Sequence, residues 1–364
     1  MPHMALAILL SLSACGSAGH PTPAEPPPTQ VAEPNAAPTT ASPVPSGNPP
    51  LIGAYYYPWY GSDGRHWREG YRGVPQLGEY DSTDEGVIDQ HITWASEHGL
   101  DFFAVSWWGS DSYEDRAAQG PMLHALEGGP LRFAILYEAP ALLGTHQDRI
   151  ELDDHAVERL SEDWTYLAAT YFSHPNYLTI DGRPVLFIYL TRIFTGNVDE
   201  ALAQVRTAVG DEIGHDPFLI GDEVYWHAPS GSRILPYDGI TAYNMHTSVA
   251  GIATGFDDKV RARYELWAQA AERAGVTFVP GVIPGFDDLA VRPEAAHPII
   301  PRSPQLFAAQ LQDALRLASG PARIVMITSW NEWHEDTSVE PSEAFGFDYL
   351  QVVRELVNAQ DTGN

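Results

Sequence analysis

The chain has 364 residues, 44% of them hydrophobic, and a formal net charge of −28. That length suits one large domain, and the acidic balance excludes nucleic acid, polyanionic substrates and electrostatic adhesion to an anionic membrane, since each needs a basic face. A single cysteine, Cys15, excludes an intramolecular disulfide framework and a Cys-based zinc site.

Residues 1–19 read as an export signal. Ala5–Leu12 is a short apolar run, and Leu12-Ser13-Ala14-Cys15-Gly16 resembles the lipobox of a bacterial lipoprotein, in which the cysteine is lipidated. The run is too short to span a bilayer as a mature helix. The expectation is an exported protein facing outward, touching the membrane only through a lipid on Cys15, or secreted if the lipobox is not used. Residues 20–50 are Pro, Ala, Thr and Ser with almost no large apolar side chain, so they form an extended linker.

From residue 51 to 364 the texture is that of a packed domain. Eight apolar runs follow one another: Gly53–Tyr57, Phe102–Trp107, Arg132–Tyr137, Val185–Tyr189, Phe218–Gly221, Gly239–Tyr243, Thr277–Ile283 and Ile324–Thr328. None alternates cleanly, as expected of parallel strands buried on both faces. Helical periodicity lies between most of them, over Asp84–His98, Asp153–Phe172, Val198–Val209, Asp257–Ala274, Ser303–Ala318 and Ser342–Val357. It is weaker over Arg116–Glu127, and Tyr225–Leu235 fits a loop best. The alternation predicts a (β/α)8 TIM barrel. A doubly wound sheet would carry a Gly-rich turn after its first strand, where this chain has Pro58-Trp59-Tyr60-Gly61.

A barrel keeps its chemistry at the C-terminal strand ends. Those ends carry Tyr57, Trp59, Tyr60, His66 and Trp67 after the first strand, then Trp107 and Trp108, Glu138, Asp222 and Glu223. Tyr243, Asn244 and His246 follow the sixth strand, and Asp288 and Arg292 the seventh. The eighth opens into TSWNEWHEDTSVEP (Thr328–Pro341), which sets Glu332 and Glu335 three residues apart among Trp330, Trp333 and His334. Paired carboxylates beside flat apolar rings suit glycoside hydrolysis, where one acid holds a proton, the other stays charged and the rings stack on sugar. The histidines form no HxH or HExxH arrangement, so no metal is expected.

The chain resembles glycoside hydrolase family 99, the endo-α-mannosidases and endo-α-mannanases, in GAYYYPWYG (Gly53–Gly61), PQLGEYDS (Pro75–Ser82), AVSWWG (Ala104–Gly109), HPNYLTIDGRPVLFIY (His174–Tyr189), PGFDDLAVRP (Pro284–Pro293) and SWNEWHEDTSVEP. A monomer is expected, and the resemblance implies a retaining endo-glycosidase that needs no cofactor and acts on a neutral, mannose-containing glycan. It assigns Glu332 as base on the substrate 2-hydroxyl, giving a 1,2-anhydro sugar, and Glu335 as the acid, protonated at rest, that later activates water. It implies substrate contacts for His66, Trp67, Glu138, Tyr243, Asp288 and Arg292, and the strand-end reading adds Tyr57, Trp59, Tyr60, Trp107, Trp108, Asn331 and His334. Three positions depart from the family pattern. Asp336 stands where HEGT is common, Glu294 replaces an aromatic, and Leu190-Thr191 replaces Asp-Ser. Two other readings remain open: an endo-glycosidase for a different neutral polysaccharide, and a glycan-binding lipoprotein without turnover.

Overall fold

The computed structural model describes residues 49–144, 149–246, 251–295, 297–321 and 323–361. Cys15, the signal segment and nearly all of the linker lie outside the described residues. Among those that are described, no helix is long and apolar enough to cross a membrane.

Nine parallel strands build the barrel: β1 (Leu51–Tyr56), β2 (Phe102–Trp107), β3 (Arg132–Tyr137), β4 (Arg183–Ile188), β5 (Phe218–Asp222), β6 (Gly239–Thr241), β7 (Thr277–Val279), β8 (Gly281–Val282) and β9 (Ile324–Ile327). Their order is β7-β6-β5-β4-β3-β2-β1-β9-β8. Since β7 and β8 are separated only by Pro280, which has no N–H to donate, they are two halves of one stave. One half pairs with β6 and the other with β9, and that closes the (β/α)8 barrel. Gly281 is required at the joint, because a Cβ there would lie 2.2 Å from the Ala242 carbonyl oxygen.

Both faces of each strand are buried, which explains the missing alternation. On β1, Tyr55 points into the barrel toward Phe187 and Tyr243, while Tyr56 points out against Phe103 and His91 of the first helix. The outer layer contains α1 (Glu85–Glu97), α2 (Asp154–Leu167), α3 (Val198–Ile213), α4 (Phe256–Ala274), α5 (Pro304–Leu317) and α6 (Asp348–Asp361). Asp84, Asp153 and Ser303 cap α1, α2 and α5 by accepting backbone N–H bonds from Gly86, Ala156 and Leu306. The segment expected to be helical from Ser342 begins instead at Asp348, because Ser342 is drawn into bridges with Pro75 and Gly346. Tyr225–Leu235 is mostly loop, with one helical turn at Gly231–Ile234.

At the N-terminal end of β4–β6 two arginines and two aspartates form a closed box. Arg183 reaches Asp238 at 2.7 Å and Asp216 at 2.8 Å, and Arg206 reaches the same pair at 2.7 Å each. This end of a barrel supports stability, and the opposite rim holds the site.

Candidate active site

The loop after β9 supplies the two central carboxylates. Trp330 donates its backbone N–H to Tyr55 O (2.7 Å), and Asn331 locks onto the end of β1 by exchanging amide bonds with the Tyr57 backbone (2.7 and 3.0 Å). Ser329 Oγ accepts the Glu332 N–H (2.7 Å), which turns the chain so that Glu332 faces the barrel axis region. Glu332 is 4% exposed. Its Oε1 accepts two bonds from His334, from the backbone N–H and from Nδ1, each 3.0 Å. His334 Nε2 lies 3.0 Å from the His66 carbonyl oxygen. Both ring nitrogens therefore face acceptors, an arrangement only the imidazolium satisfies fully. Burial alone would lower the His334 pKa, but the Glu332 carboxylate and the His66 carbonyl outweigh it and raise it.

Glu335 meets a different environment. Arg292 donates to its Oε1 at 2.8 Å, and His246 Nε2 stands 3.8 Å from Oε2. Burial pushes this carboxyl up, yet Arg292 and His246 together hold it down at about 2. The expectation that Glu335 rests protonated therefore fails in this arrangement. Arg292 and His246, from two other loops, face it. Arg292 is itself placed by Asp288 (3.0 Å), whose Oδ2 also meets His297 Nδ1 at 2.6 Å.

A third carboxyl, Glu138, ends β3. It is 4% exposed and accepts a bond from Ser106 Oγ (2.7 Å), which in turn accepts one from Trp108 Nε1 (2.8 Å). Burial, with Glu332 nearby, lifts its pKa to about 8. Tyr57 and Tyr243 share a short hydroxyl–hydroxyl bond beside these acids. Asp222 at the end of β5 fixes Tyr243 by accepting its backbone N–H (3.0 Å) while paired with Arg192 (2.7 Å).

The half-buried Trp59 ring forms the aromatic wall. It stacks on Tyr57 (4.5 Å between centres) and on His66 (4.8 Å), and Trp108 lies 6.1 Å away. Tyr57, Trp59, His66, Trp108, Glu138, Tyr243, Asp288, Arg292, Glu332, His334 and Glu335 thus gather at one rim.

Four residues expected to touch substrate are instead buried supports. Tyr60 and Trp67 stack on each other at 3.9 Å in a cluster with Tyr80 and Trp333. Trp107 is 1% exposed and donates to Asp115 (2.7 Å). Asn331 has its amide committed to Tyr57 and Tyr80. Trp107 ends β2, Tyr60 and Asn331 follow β1 and β9 closely, and Trp67 opens the turn Trp67–Glu69; each side chain is directed into packing. Ser106 and Tyr189 were not among the expected site residues, and His246 was named only as a strand-end residue. Ser106 lies within AVSWWG on a strand that reads as core, and Tyr189, which meets Tyr243 at 4.9 Å, reads in sequence as the last residue of a core strand.

His66, Glu69 and His334 each bring one metal-type donor atom within 4.8 Å of the others. The fit is poor, since His334 Nε2 already meets a carbonyl oxygen and is satisfied there as a donor. No metal is assigned.

The departure at Asp336 has a local explanation. Its φ is 54°, the left-handed region where glycine is easiest and aspartate is among the better-tolerated alternatives. Arg302 pairs with its carboxylate at 3.0 Å, donates to its carbonyl and to that of Ser338, and lies over the Phe345 and Tyr349 rings. The turn is kept, and the added charge is drawn toward Arg302.

The sequence profile of Glycosyl hydrolase family 99 matches residues 69–352, well over half of the chain. A "Glycoprotein endo-alpha-1,2-mannosidase-like protein" of Mus musculus is 25% identical, over 79% of this chain and 68% of its own length. The "Glycoprotein endo-alpha-1,2-mannosidase" of Xenopus laevis is 24% identical, over 79% of this chain and 68% of its own length. Among solved structures, the GH99 endo-alpha-mannosidase from Bacteroides thetaiotaomicron superposes with a TM-score of 0.65 at 23% identity, covering 85% of this chain and 97% of that one. A "Glycoside hydrolase-like protein" reaches 0.73 at 21% identity, covering 87% and 97%. With its profile match spread across the barrel and its rim loops, this chain belongs to glycosyl hydrolase family 99 and is a glycoside hydrolase.

Proposed function

We propose that the protein is a retaining endo-glycosidase that cleaves internal α-mannosidic linkages of a neutral mannan or mannose-containing glycan. The observation that carries this reading is the pair Glu332 and Glu335 on one loop, each held by different partners. The printed names of the relatives support mannosides as the substrate class. The net charge of −28 fits a neutral glycan.

In this reading Glu332, oriented by His334, takes the proton of the sugar 2-hydroxyl. The freed O2 attacks C1, the C1–oxygen bond to the leaving sugar breaks, and that oxygen takes a proton from Glu335. The product is a 1,2-anhydro sugar. Glu335, now a carboxylate, removes a proton from water, which opens the anhydro ring at C1, and Glu332 returns its proton to O2. Two displacements at C1 retain the anomeric configuration. Trp59 and Trp108 offer flat faces to the sugar rings, and Tyr57 and Tyr243 place hydroxyls beside the reacting carbon. The reading includes export and lipidation at Cys15, checked by palmitate labelling that a Cys15→Ser variant loses.

Incubation of the purified protein with α-mannans tests it. Glu332→Gln and Glu335→Gln should each reduce oligosaccharide release by about 10²-fold or more, and the first-formed product should be the α-anomer. Release by both variants at the wild-type rate would remove these assignments. Tight binding by the wild type with no release would favour the glycan-binding reading.

A further inference from the structure

A general acid must hold a proton when substrate arrives, and the resting surroundings of Glu335 work against that. Arg292 occupies one carboxylate oxygen at 2.8 Å, and the other faces His246. His246 lies just past β6, is fully buried, and has no hydrogen-bond partner on Nδ1 or Nε2 among the described residues. Leaving a buried polar group unpaired costs about 1–3 kcal/mol, so packing alone does not account for an imidazole here. Phe286 holds the ring by its face, with centres 4.2 Å apart, and Trp226 anchors the preceding residue by donating to Met245 O at 2.9 Å.

We propose that His246 holds the proton that Glu335 delivers to the leaving oxygen, and takes it back when Glu335 deprotonates water. This rests on the acid/base assignment of Glu335 made above. The transfer balances: Nε2–H of the imidazolium gives its proton to Oε2, leaving neutral imidazole and a carboxylic acid. The acid then protonates the departing oxygen as its bond to C1 breaks. In the second step the proton taken from water travels back over the same two atoms. At 3.8 Å the pair is beyond hydrogen-bond length, but the terminal carboxylate torsion is soft, and a rotation of Glu335 closes the gap.

The groups around His246 favour this traffic. From the loop after β9 it faces Glu335. From the loop after β8 come Phe286 and, on the far side of Glu335, Arg292 with Asp288 and His297 behind it. On its own segment, Tyr243 points to Tyr57 and not to His246. Glu335 is the one carboxylate among the described residues within ion-pair reach of the ring. His246 is thus a positioning residue that acts through Glu335 and does not touch the sugar.

The test compares His246→Gln, His246→Phe and Glu335→Gln on an α-mannan and on an α-mannobiosyl fluoride, whose fluoride leaves without a proton. Both His246 variants should lose about 10²-fold in kcat on the mannan and far less on the fluoride. The pH profile for the mannan should change shape. His246→Gln supplies an N–H but no transferable proton, so it should not rescue the rate even where its melting temperature matches wild type. If His246→Phe fails to fold, the glutamine variant decides alone. Equal losses on the two substrates, or a glutamine variant with wild-type rate and pH profile on mannan, would overturn the proposal. Should Glu335→Gln be selective for the mannan while the His246 variants are not, only the role of His246 falls. Should Glu335→Gln release oligosaccharide from the mannan at the wild-type rate, the acid/base assignment falls and this proposal with it.

Discussion

Replacing Arg292 with glutamine takes away the cation that keeps Glu335 ionised. In the wild type, burial raises the Glu335 carboxyl but Arg292 and His246 prevail, so it lies near about 2 against an ordinary 4.5. At about 1.4 kcal/mol per tenfold, that interval is worth about 3 kcal/mol of folding stability. The folded value is depressed, so the contribution is fully present above pH 4.5 and disappears as pH falls toward 2. In Arg292→Gln the largest opposing charge is gone and burial counts for more, so the carboxyl moves up from its wild-type value while His246 still lowers it, and less of this stability remains. The gap between the two proteins should reach up to about 3 kcal/mol at pH 7 and narrow toward pH 3, where about 1.4 kcal/mol of the wild-type contribution remains. Urea unfolding of both proteins across pH 3 to 7 measures it. Loss of the Asp288 contact adds an offset that does not depend on pH in this way, so the slope is what counts. Parallel stability curves would refute the reasoning.

Glu138 is lifted to about 8 by burial and by Glu332, so it is a neutral donor at pH 7. Wild-type activity should therefore decline as pH rises through about 8, and Glu138→Gln, neutral at all pH, should lack that limb; the same limb in both would argue against the assignment. Trp59→Ala should raise KM for glycan by roughly tenfold, about 1.4 kcal/mol of stacking, with a smaller change in kcat by steady-state kinetics. Asp336→Gly should stay within about 1 kcal/mol of wild type in thermal melts, since glycine suits φ 54°. Arg302→Leu should cost about 2–4 kcal/mol by stranding a half-buried carboxylate.

The barrel was legible because buried parallel strands and amphipathic helices leave different traces. The apolar runs carried the strands, and Ile88, His91, Ile92 and Ala95 marked the inner face of α1. The division of the seventh stave was not legible, since Thr277–Ile283 reads as one apolar run and only the pairing partners reveal the break at Pro280. For the site, the rim positions were right in kind but not always in direction. Tyr60, Trp107 and Asn331 lie at or near strand ends and Trp67 in the loop beyond one, and sequence does not tell which of these side chains turns into packing. The protonation of Glu335 was misjudged for a related reason. His334 and Asp336 adjoin it in sequence, whereas Arg292 and His246 come from 43 and 89 positions earlier in the chain.

The pairing of Asp336 with Arg302 makes two distant positions answer for one turn. A glycine there would need no side-chain partner, and Arg302 would keep only its bonds to the carbonyls of residues 336 and 338 and its place over the rings. With aspartate in place, the arginine and the turn are bound in their histories. Grafting this loop onto a relative that lacks Arg302, or importing a relative's α5 lead-in here, would bring one half of the pair without the other. Loop exchanges meant to alter glycan preference should therefore move residues 302 and 336 together, and a failed chimera that moved one alone would say nothing about the sugar.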